Sequence, residues 1–160
     1  MFYFNNENIN KIIPINNDFY FVKNISNLYN IFLDIWDINT CATRLREQYD
    51  SIHKSLGQCS ISAFLIQDIF GGDVFGVKLD DGNFHCFNKI GDVIFDLTSE
   101  QFTIRNIELN YTLEYPQNRE NHFKKQEKYE RYLLLKQKLF NYKNMGVLIW
   151  KIVRGSWFYH

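Results

Sequence analysis

Cys59, His85 and Asp96 are the residues whose chemical types and order in this sequence suit nucleophilic catalysis. A thiol attacks a carbonyl group well only as the thiolate, so it needs a positive local field and a base within reach. Histidine is the usual base, and a carboxylate commonly holds its imidazole in the tautomer that the reaction needs. The three residues therefore predict a Cys-His-Asp triad, provided that the fold brings them together.

Cys59 lies at the start of a predicted buried helix. Residues 60–70 are largely apolar, and Gly71-Gly72 ends the segment, because glycine readily adopts a left-handed helix C-cap. The first turn of a helix has free N–H groups and the positive end of the helix dipole, and both stabilise an anion. This position favours a lowered pKa for the Cys59 thiol, and the same N–H groups suit an oxyanion hole.

His85 and Asp96 lie on two predicted strands of one hairpin. The strands cover about residues 84–90 and 93–97, with Gly91-Asp92 as the turn between them. A two-residue turn places Phe87 opposite Asp96. Because side chains alternate along a strand, His85 and Asp96 then share one face of the sheet as diagonal neighbours.

Contact between the Cys59 thiol and the His85 imidazole depends on how the predicted helix over residues 60–70 packs on the sheet. Cys59 reaches His85 if its helix packs on the face of the sheet that carries His85. Cys86 would then point to the opposite face with Asn88, whose side chain we expect to make a structural hydrogen bond. The sequence permits this packing without strain.

The remaining pattern predicts a single α+β domain over residues 1–160. Residues 1–24 are rich in Asn and in aromatic residues and predict a strand or an extended arm, residues 25–142 form the core, and residues 143–160 are a C-terminal extension. Further predicted elements are a helix after Ser26 as N-cap, a polar helix over about residues 41–49, a strand over 74–79, a long helix over 119–142, and a strand or short helix over 147–153.

Gln58 and Trp36 are secondary candidates for the site. Gln58 adjoins the nucleophile and could donate a hydrogen bond to an oxyanion, although it could equally cap the helix. Trp36 is a candidate for the wall of a substrate cleft, although an aromatic residue on an apolar helix stripe more often belongs to the core. Thr98 and Gln101 have the spacing of a capping box, which predicts a structural role.

Composition argues against several classes of function. Eighteen basic and eighteen acidic residues cancel, which gives no global reason to expect a nucleic acid or an anionic membrane as partner. No stretch approaches the roughly 20 apolar residues of a membrane span. The spacing of the three cysteines and of His85 matches no familiar zinc pattern, and no glycine-rich phosphate loop opens a helix, so we expect neither metal nor cofactor. An odd number of cysteines favours a reduced, cytoplasmic protein.

The residues around the triad resemble two groups of proteins. Gly57-Gln58-Cys59 before an apolar helix resembles the nucleophile motif of transglutaminases, in which a His-x-aromatic-Asn strand and an Asp strand also follow. More closely, about residues 36–102 resemble the small bacterial YunG-like family, with residues 131–134 similar to its later helix. The segments that carry this resemblance are Leu56–Cys59, Gln67–Gly72, His85–Asn88 and Asp96–Phe102.

The resemblance implies a transglutaminase-like or papain-like fold, with a cysteine-bearing helix against an antiparallel sheet. It implies Cys59 as nucleophile, His85 as base and Asp96 as the residue that orients the base. Phe87 stands where tryptophan is common, and no tryptophan follows Cys59 as in true transglutaminases, which weakens any expectation of protein cross-linking. The wider fold includes proteases, deamidases, acyltransferases and non-catalytic relatives, so the resemblance implies thiol acyl transfer without naming the acyl donor.

Two functional hypotheses follow. In the first, the protein is a thiol-dependent hydrolase or acyltransferase for an amide or thioester, with a protein or peptide among the possible substrates, and water or an amine resolves the acyl-enzyme. In the second, it is a non-catalytic binding or regulatory protein that retains the fold, with aromatic residues at Phe2–Phe4 and Trp157–Tyr159 as a partner surface. The sequence leaves the substrate and the oligomeric state open.

Overall fold

The computed structural model describes the backbone of residues 1–155 and the side chains of residues 1–146. This part of the chain is mixed α+β, with an antiparallel sheet and a long C-terminal helix. The helices are α1 (Ile25–Ile35), α2 (Cys59–Phe70), α3 (Glu100–Thr103), α4 (Arg119–Phe123) and α5 (Gln126–Gly155). The strands are β1 (Tyr3–Phe4), β2 (Asp73–Lys78), β3 (Phe84–Ile90) and β4 (Val93–Asp96).

Strands β2, β3 and β4 correspond to the three predicted strands and pair in succession, and β1 adds to the edge of β4. The sheet order over the described residues is β1-β4-β3-β2, antiparallel throughout. Ile90 pairs with Val93 and Asn88 pairs with Phe95, which confirms the register that the two-residue turn predicts. In β1, Tyr3 pairs with Asp96, so part of the N-terminal segment is a strand beside a candidate catalytic residue. Two 3-10 helices, Glu7–Lys11 and Asn17–Phe19, follow in that segment.

Helix α1 begins earlier than the sequence predicts. The Asn24 side chain accepts a hydrogen bond of 2.9 Å from the N–H of Asn27, so Asn24 and not Ser26 is the N-cap. Where a second polar helix is predicted, over residues 41–49, the chain forms the 3-10 helix Thr43–Gln48. The apolar stripe of α1 is buried as expected: Ile25, Leu28, Ile31, Phe32 and Ile35.

Helix α2 packs on the face of the sheet opposite His85. Asn88 donates from Nδ2 to the Ala63 carbonyl at 2.9 Å, which confirms the structural hydrogen bond expected of it. Cys86 is buried in one apolar cluster with Ala63. The packing on the His85 face that the sequence permits is therefore not the one that the chain adopts. The face that carries His85 is covered instead by later parts of the chain, since Phe102 contacts the His85 ring edge-on, with ring centroids 4.6 Å apart.

The C-terminal half is two helices where the sequence predicts one. Helix α4 ends at Phe123 and α5 begins at Gln126, so the predicted helix over residues 119–142 is broken. Helix α5 continues to Gly155, and residues 147–153, predicted as a separate strand or short helix, belong to its backbone. Tyr132, Leu135 and Leu139 of α5 are buried in the main core.

The aromatic residues proposed as a partner surface have different placements. Phe2 is buried in the main core, and Tyr3 stacks on Tyr111 with ring centroids 4.1 Å apart. Both residues are thus used within the chain. Trp157–Tyr159 lie outside the described residues. None of the helices in the described part is both long and apolar enough to cross a membrane.

Candidate active site

Cys59 is the first residue of α2, and its partly exposed side chain lines a cleft of about 740 Å³ that His85 also lines. No side-chain hydrogen bond from Gln58 caps the helix. The thiol therefore lies at a helix N-terminus whose first-turn N–H groups and dipole favour a negative charge.

The turn before Cys59 depends on a glycine. Gly57 has φ of 71°, in the left-handed region that side chains with a Cβ rarely adopt. A Cβ atom on Gly57 would lie 2.6 Å from Cys41 Sγ and 2.8 Å from the backbone nitrogen of Ala42. The Gly57 carbonyl also accepts hydrogen bonds from the Ala42 N–H and from Arg131. The chain thus reaches Cys59 through a tightly held glycine.

We expect Gly57→Ala to lower the free energy of unfolding more than Gly82→Ala. Both glycines have positive φ, so both substitutions incur the left-handed strain of about 1–2 kcal/mol. Nothing lies within 4 Å of a Cβ built on Gly82, whereas at Gly57 the new atom meets backbone. Urea unfolding of the two variants measures the difference. Equal losses would show that the close approach at Gly57 is relieved by relaxation.

His85 and Asp96 form a buried pair. His85 Nε2 donates to Asp96 Oδ2 at 2.6 Å, and each side chain is only 1% exposed. Asp96 Oδ2 also accepts from the Tyr111 hydroxyl at 2.9 Å, and its Oδ1 accepts from the N–H and the hydroxyl of Thr98, both at 2.9 Å. Four donors therefore fix the carboxylate, and the carboxylate fixes the imidazole.

Thr98 is part of this arrangement and not of a capping box. Its hydroxyl points to Asp96, and Gln101 Nε2 donates to the Thr98 carbonyl at 3.0 Å and not to a free N–H group. The predicted capping box is therefore wrong. An Asp-x-Thr sequence is a known local hydrogen-bonding pattern, so the link between Asp96 and Thr98 could have been read from the sequence. No comparable signal marks Tyr111, which comes from a distant loop.

The electrostatics of the pair favour a charged imidazole and a thiolate. Burial alone would lower the pKa of His85, but the charge of Asp96, its hydrogen bond and the neighbouring Cys59 raise it to about 10. Interaction with Cys86, opposed by burial and reinforced by the His85 side chain and its charge, holds the pKa of the Cys59 thiol well below its usual range. Since Nε2 of His85 is bonded to Asp96, Nδ1 is the ring nitrogen left for the thiol.

Cys86 contributes to the site in a way that the sequence analysis did not foresee. It points to the face opposite His85, as predicted, but α2 packs on that face, so Cys86 also adjoins Cys59 and lines the cleft. Interaction with Cys59 and burial raise the pKa of the Cys86 thiol well above its usual range. The protonated Cys86 is then a donor to the Cys59 thiolate.

Gln58 and Trp36 are placed away from the cleft. Gln58 is fully buried, and its Nε2 donates to the Asp37 carbonyl at 3.1 Å. Trp36 is 2% exposed, and its Nε1 donates to the Ser62 hydroxyl at 3.0 Å within the core. Neither side chain lines the cleft. The apolar stripe of α1 explains the burial of Trp36, and the carbonyl of Asp37 explains the orientation of Gln58.

Asp68 and Asp81 bind to neighbouring side chains of the fold. Asp68 pairs with Arg119 at 2.9 Å, and the Tyr132 hydroxyl also donates to it. Asp81 accepts two hydrogen bonds from Asn83 within the turn before β3. Among the side chains of residues 1–146, no cluster of three or more His, Cys, Asp or Glu residues is arranged to hold a metal ion.

The chain belongs to the YunG family. The family model described as YunG protein matches residues 24–144, which include all three triad candidates. The Uncharacterized protein YunG of Bacillus subtilis (strain 168) is 48% identical to this chain over 48 residues, a match that covers 30% of this chain and 41% of that relative. No solved structure matches the chain.

Proposed function

We propose that this protein is a thiol-dependent hydrolase or acyltransferase of the transglutaminase-like or papain-like kind. The observation that carries the proposal is the buried His85–Asp96 hydrogen bond of 2.6 Å beside a partly exposed cysteine at a helix N-terminus, with thiol and imidazole lining one cleft. A nucleophile, a base and a residue that orients the base are the components of cysteine acyl-transfer chemistry.

The first half of the reaction forms an acyl-enzyme. The Cys59 thiolate attacks the carbonyl carbon of an amide or thioester, a C–S bond forms, and the carbonyl π electrons move to the oxygen. N–H groups in the first turn of α2 stabilise this oxyanion. The oxyanion then re-forms the carbonyl, the bond to the leaving amine or thiol breaks, and the leaving group takes the proton from His85 Nδ1.

The second half releases the acyl group. Water or an amine loses a proton to the now neutral His85 as it attacks the acyl carbon. The C–S bond breaks, and the Cys59 thiolate and the His85 imidazolium are restored. The Asp96 side chain accepts the hydrogen bond from Nε2 of His85 throughout, so that Nδ1 stays directed to the thiol.

A reducing compartment such as the cytoplasm suits this chemistry. Cys41, Cys59 and Cys86 are all free thiols. Oxidation of Cys59 would remove the nucleophile, and a thiolate is the cysteine form most susceptible to oxidation. We therefore place the active protein where thiols are kept reduced.

Acylation of Cys59 by p-nitrophenyl acetate tests the proposal. Mixing should release p-nitrophenol in a burst stoichiometric with protein, and intact-mass and peptide analysis should find the acetyl group on Cys59. The burst should vanish in Cys59→Ala and remain in Cys41→Ala, because Cys41 is fully buried and its thiol pKa is raised by burial. Acetylation spread over lysines with no burst, or a burst that survives Cys59→Ala, would contradict the proposed function.

A further inference from the structure

The cleft beside Cys59 carries an excess of positive charge. Five of its lining side chains are arginine or lysine, and two, Asp81 and Glu127, are acidic. The whole chain has 18 basic and 18 acidic residues, so the local excess is not a consequence of overall composition. A cleft lined by one sign of charge attracts ligands of the opposite sign.

Part of this charge is already used by the fold. Arg131 is 5% exposed, pairs with Glu127 at 2.6 Å, and donates to the carbonyls of Thr40 and Gly57 at 3.1 and 3.3 Å. It therefore holds α5 against the turn that leads to Cys59, and it neutralises one of the two acidic residues. The remaining cations are the ones available to a ligand.

Lys128 is the least exposed of the four remaining cations that line the cleft, since Arg44, Arg105 and Lys125 are exposed. It lies on α5, is half-buried, and has no carboxylate within 4 Å among the described side chains. Burial and Lys125 lower its pKa, while interaction with Cys86 and Cys59 opposes that shift. A partly desolvated ammonium without an ion-pair partner is unfavourable until an anion binds to it.

His122 adds a neutral polar contact on the same wall. Its Nε2 is buried without a hydrogen-bond partner among the described residues, and its ring lines the cleft. Burial and the charge of Lys128 lower the pKa of His122 to about 4, so the imidazole is neutral at pH 7. The cleft that Cys59 lines thus contains a half-buried cation and an imidazole nitrogen without a partner among the described residues.

Building on the function proposed above, we propose that the acyl donor carries a carboxylate, which Lys128 binds while Cys59 attacks the nearby carbonyl group. One oxygen of a carboxylate supplies the counter-charge that Lys128 lacks. The other oxygen can accept a hydrogen bond from the His122 ring. An acidic peptide segment or an acyl group with a free carboxylate fits this description. A neutral, apolar acyl donor would leave the ammonium unpaired.

The ratio of the rates at which iodoacetate and iodoacetamide alkylate Cys59 tests this inference. Both reagents report on the same thiolate, so their ratio cancels any change in the fraction of Cys59 that is ionised. We expect Lys128→Gln to lower the iodoacetate-to-iodoacetamide ratio by about fivefold at low salt, and added salt to lower the wild-type ratio in the same direction. Lys128→Arg should keep the wild-type ratio.

Lys143→Gln is the matched control. It removes the same charge from the same helix, 15 residues from Lys128 and thus roughly 22 Å along the axis. Its ratio should equal that of the wild type. If Lys128→Gln and Lys143→Gln give the same ratio while Cys59 still reacts rapidly with iodoacetamide, the carboxylate site is wrong and the proposed catalytic function stands. If neither reagent labels Cys59 in the native protein, both proposals fail.

Discussion

Replacing His85 by alanine should slow alkylation of Cys59 by iodoacetamide at pH 6 by about tenfold or more. The imidazolium favours the thiolate in the native protein, and without it only the interaction with Cys86 still lowers the thiol pKa. The pKa therefore rises toward the unperturbed value of about 8.5, at which well under 1% of the thiol is ionised at pH 6. The more basic thiolate is also the stronger nucleophile, which recovers part of the rate. The apparent pKa read from rate against pH should therefore rise more clearly than the rate at one pH falls.

Cys41 serves as an internal control for folding in this experiment. It is fully buried and its pKa is raised by burial, so it should label slowly in the wild type and in His85→Ala alike. Rapid labelling of Cys41 would mean that the variant has unfolded. Equal rates at Cys59 in a folded variant and in the wild type would show that His85 does not activate the thiol.

Replacing Asp96 by asparagine should slow the alkylation of Cys59 nearly as much as His85→Ala does, although the size of the side chain at position 96 is unchanged. The carboxylate charge is the largest influence that raises the pKa of His85, and without it burial favours the neutral ring. The amide nitrogen of asparagine would also donate to Nε2, which moves the ring proton to Nδ1. The imidazole could then no longer accept the thiol proton, and the alkylation rate of Cys59 should again require alkaline pH.

Thr98→Val is the matched control for Asp96→Asn. It removes one hydroxyl donor to Asp96 but keeps the carboxylate charge and the 2.9 Å bond from the Thr98 backbone N–H. We expect Thr98→Val to raise the apparent pKa of Cys59 much less than Asp96→Asn raises it. Equal effects of the two substitutions would show that orientation of the carboxylate, and not its charge, dominates.

Much of this site could be predicted because its signals are local. The apolar run that ends at Gly71 marks α2 and puts Cys59 in its first turn, and the two-residue turn fixes the register of His85 against Asp96. These features depend on residues within a dozen positions of one another, where periodicity and turn chemistry act directly.

The face of the sheet on which α2 packs could not be predicted in the same way. Both faces of β3 are buried, since His85, Cys86, Phe87 and Asn88 are all inaccessible, so alternation gives no preference. The placement of α2 decides that Cys86 adjoins the thiol. This placement depends on tertiary contacts, because the sequence of a strand with two buried faces favours neither face.

The positions of the cleft residues that follow residue 119 could not be predicted from the sequence either. Lys128 and Arg131 lie on a charge-rich helix of a kind that usually faces solvent, and only the packing of α5 on α2 brings them near Cys59. His122 of α4 lines the cleft as well. Nothing in the local pattern over residues 119–142 distinguishes these residues from their solvated neighbours.

The most direct test of the thiolate–imidazolium pair is a pH titration of thiolate ultraviolet absorbance, taken as the difference between wild type and Cys59→Ala. A thiolate–imidazolium pair gives one thiolate per chain at pH 6, with a midpoint well below about 8.5 that moves upward in His85→Ala. A difference spectrum that shows no thiolate until alkaline pH, and that is unchanged by His85→Ala, would exclude this pair and make Cys59 a structural cysteine.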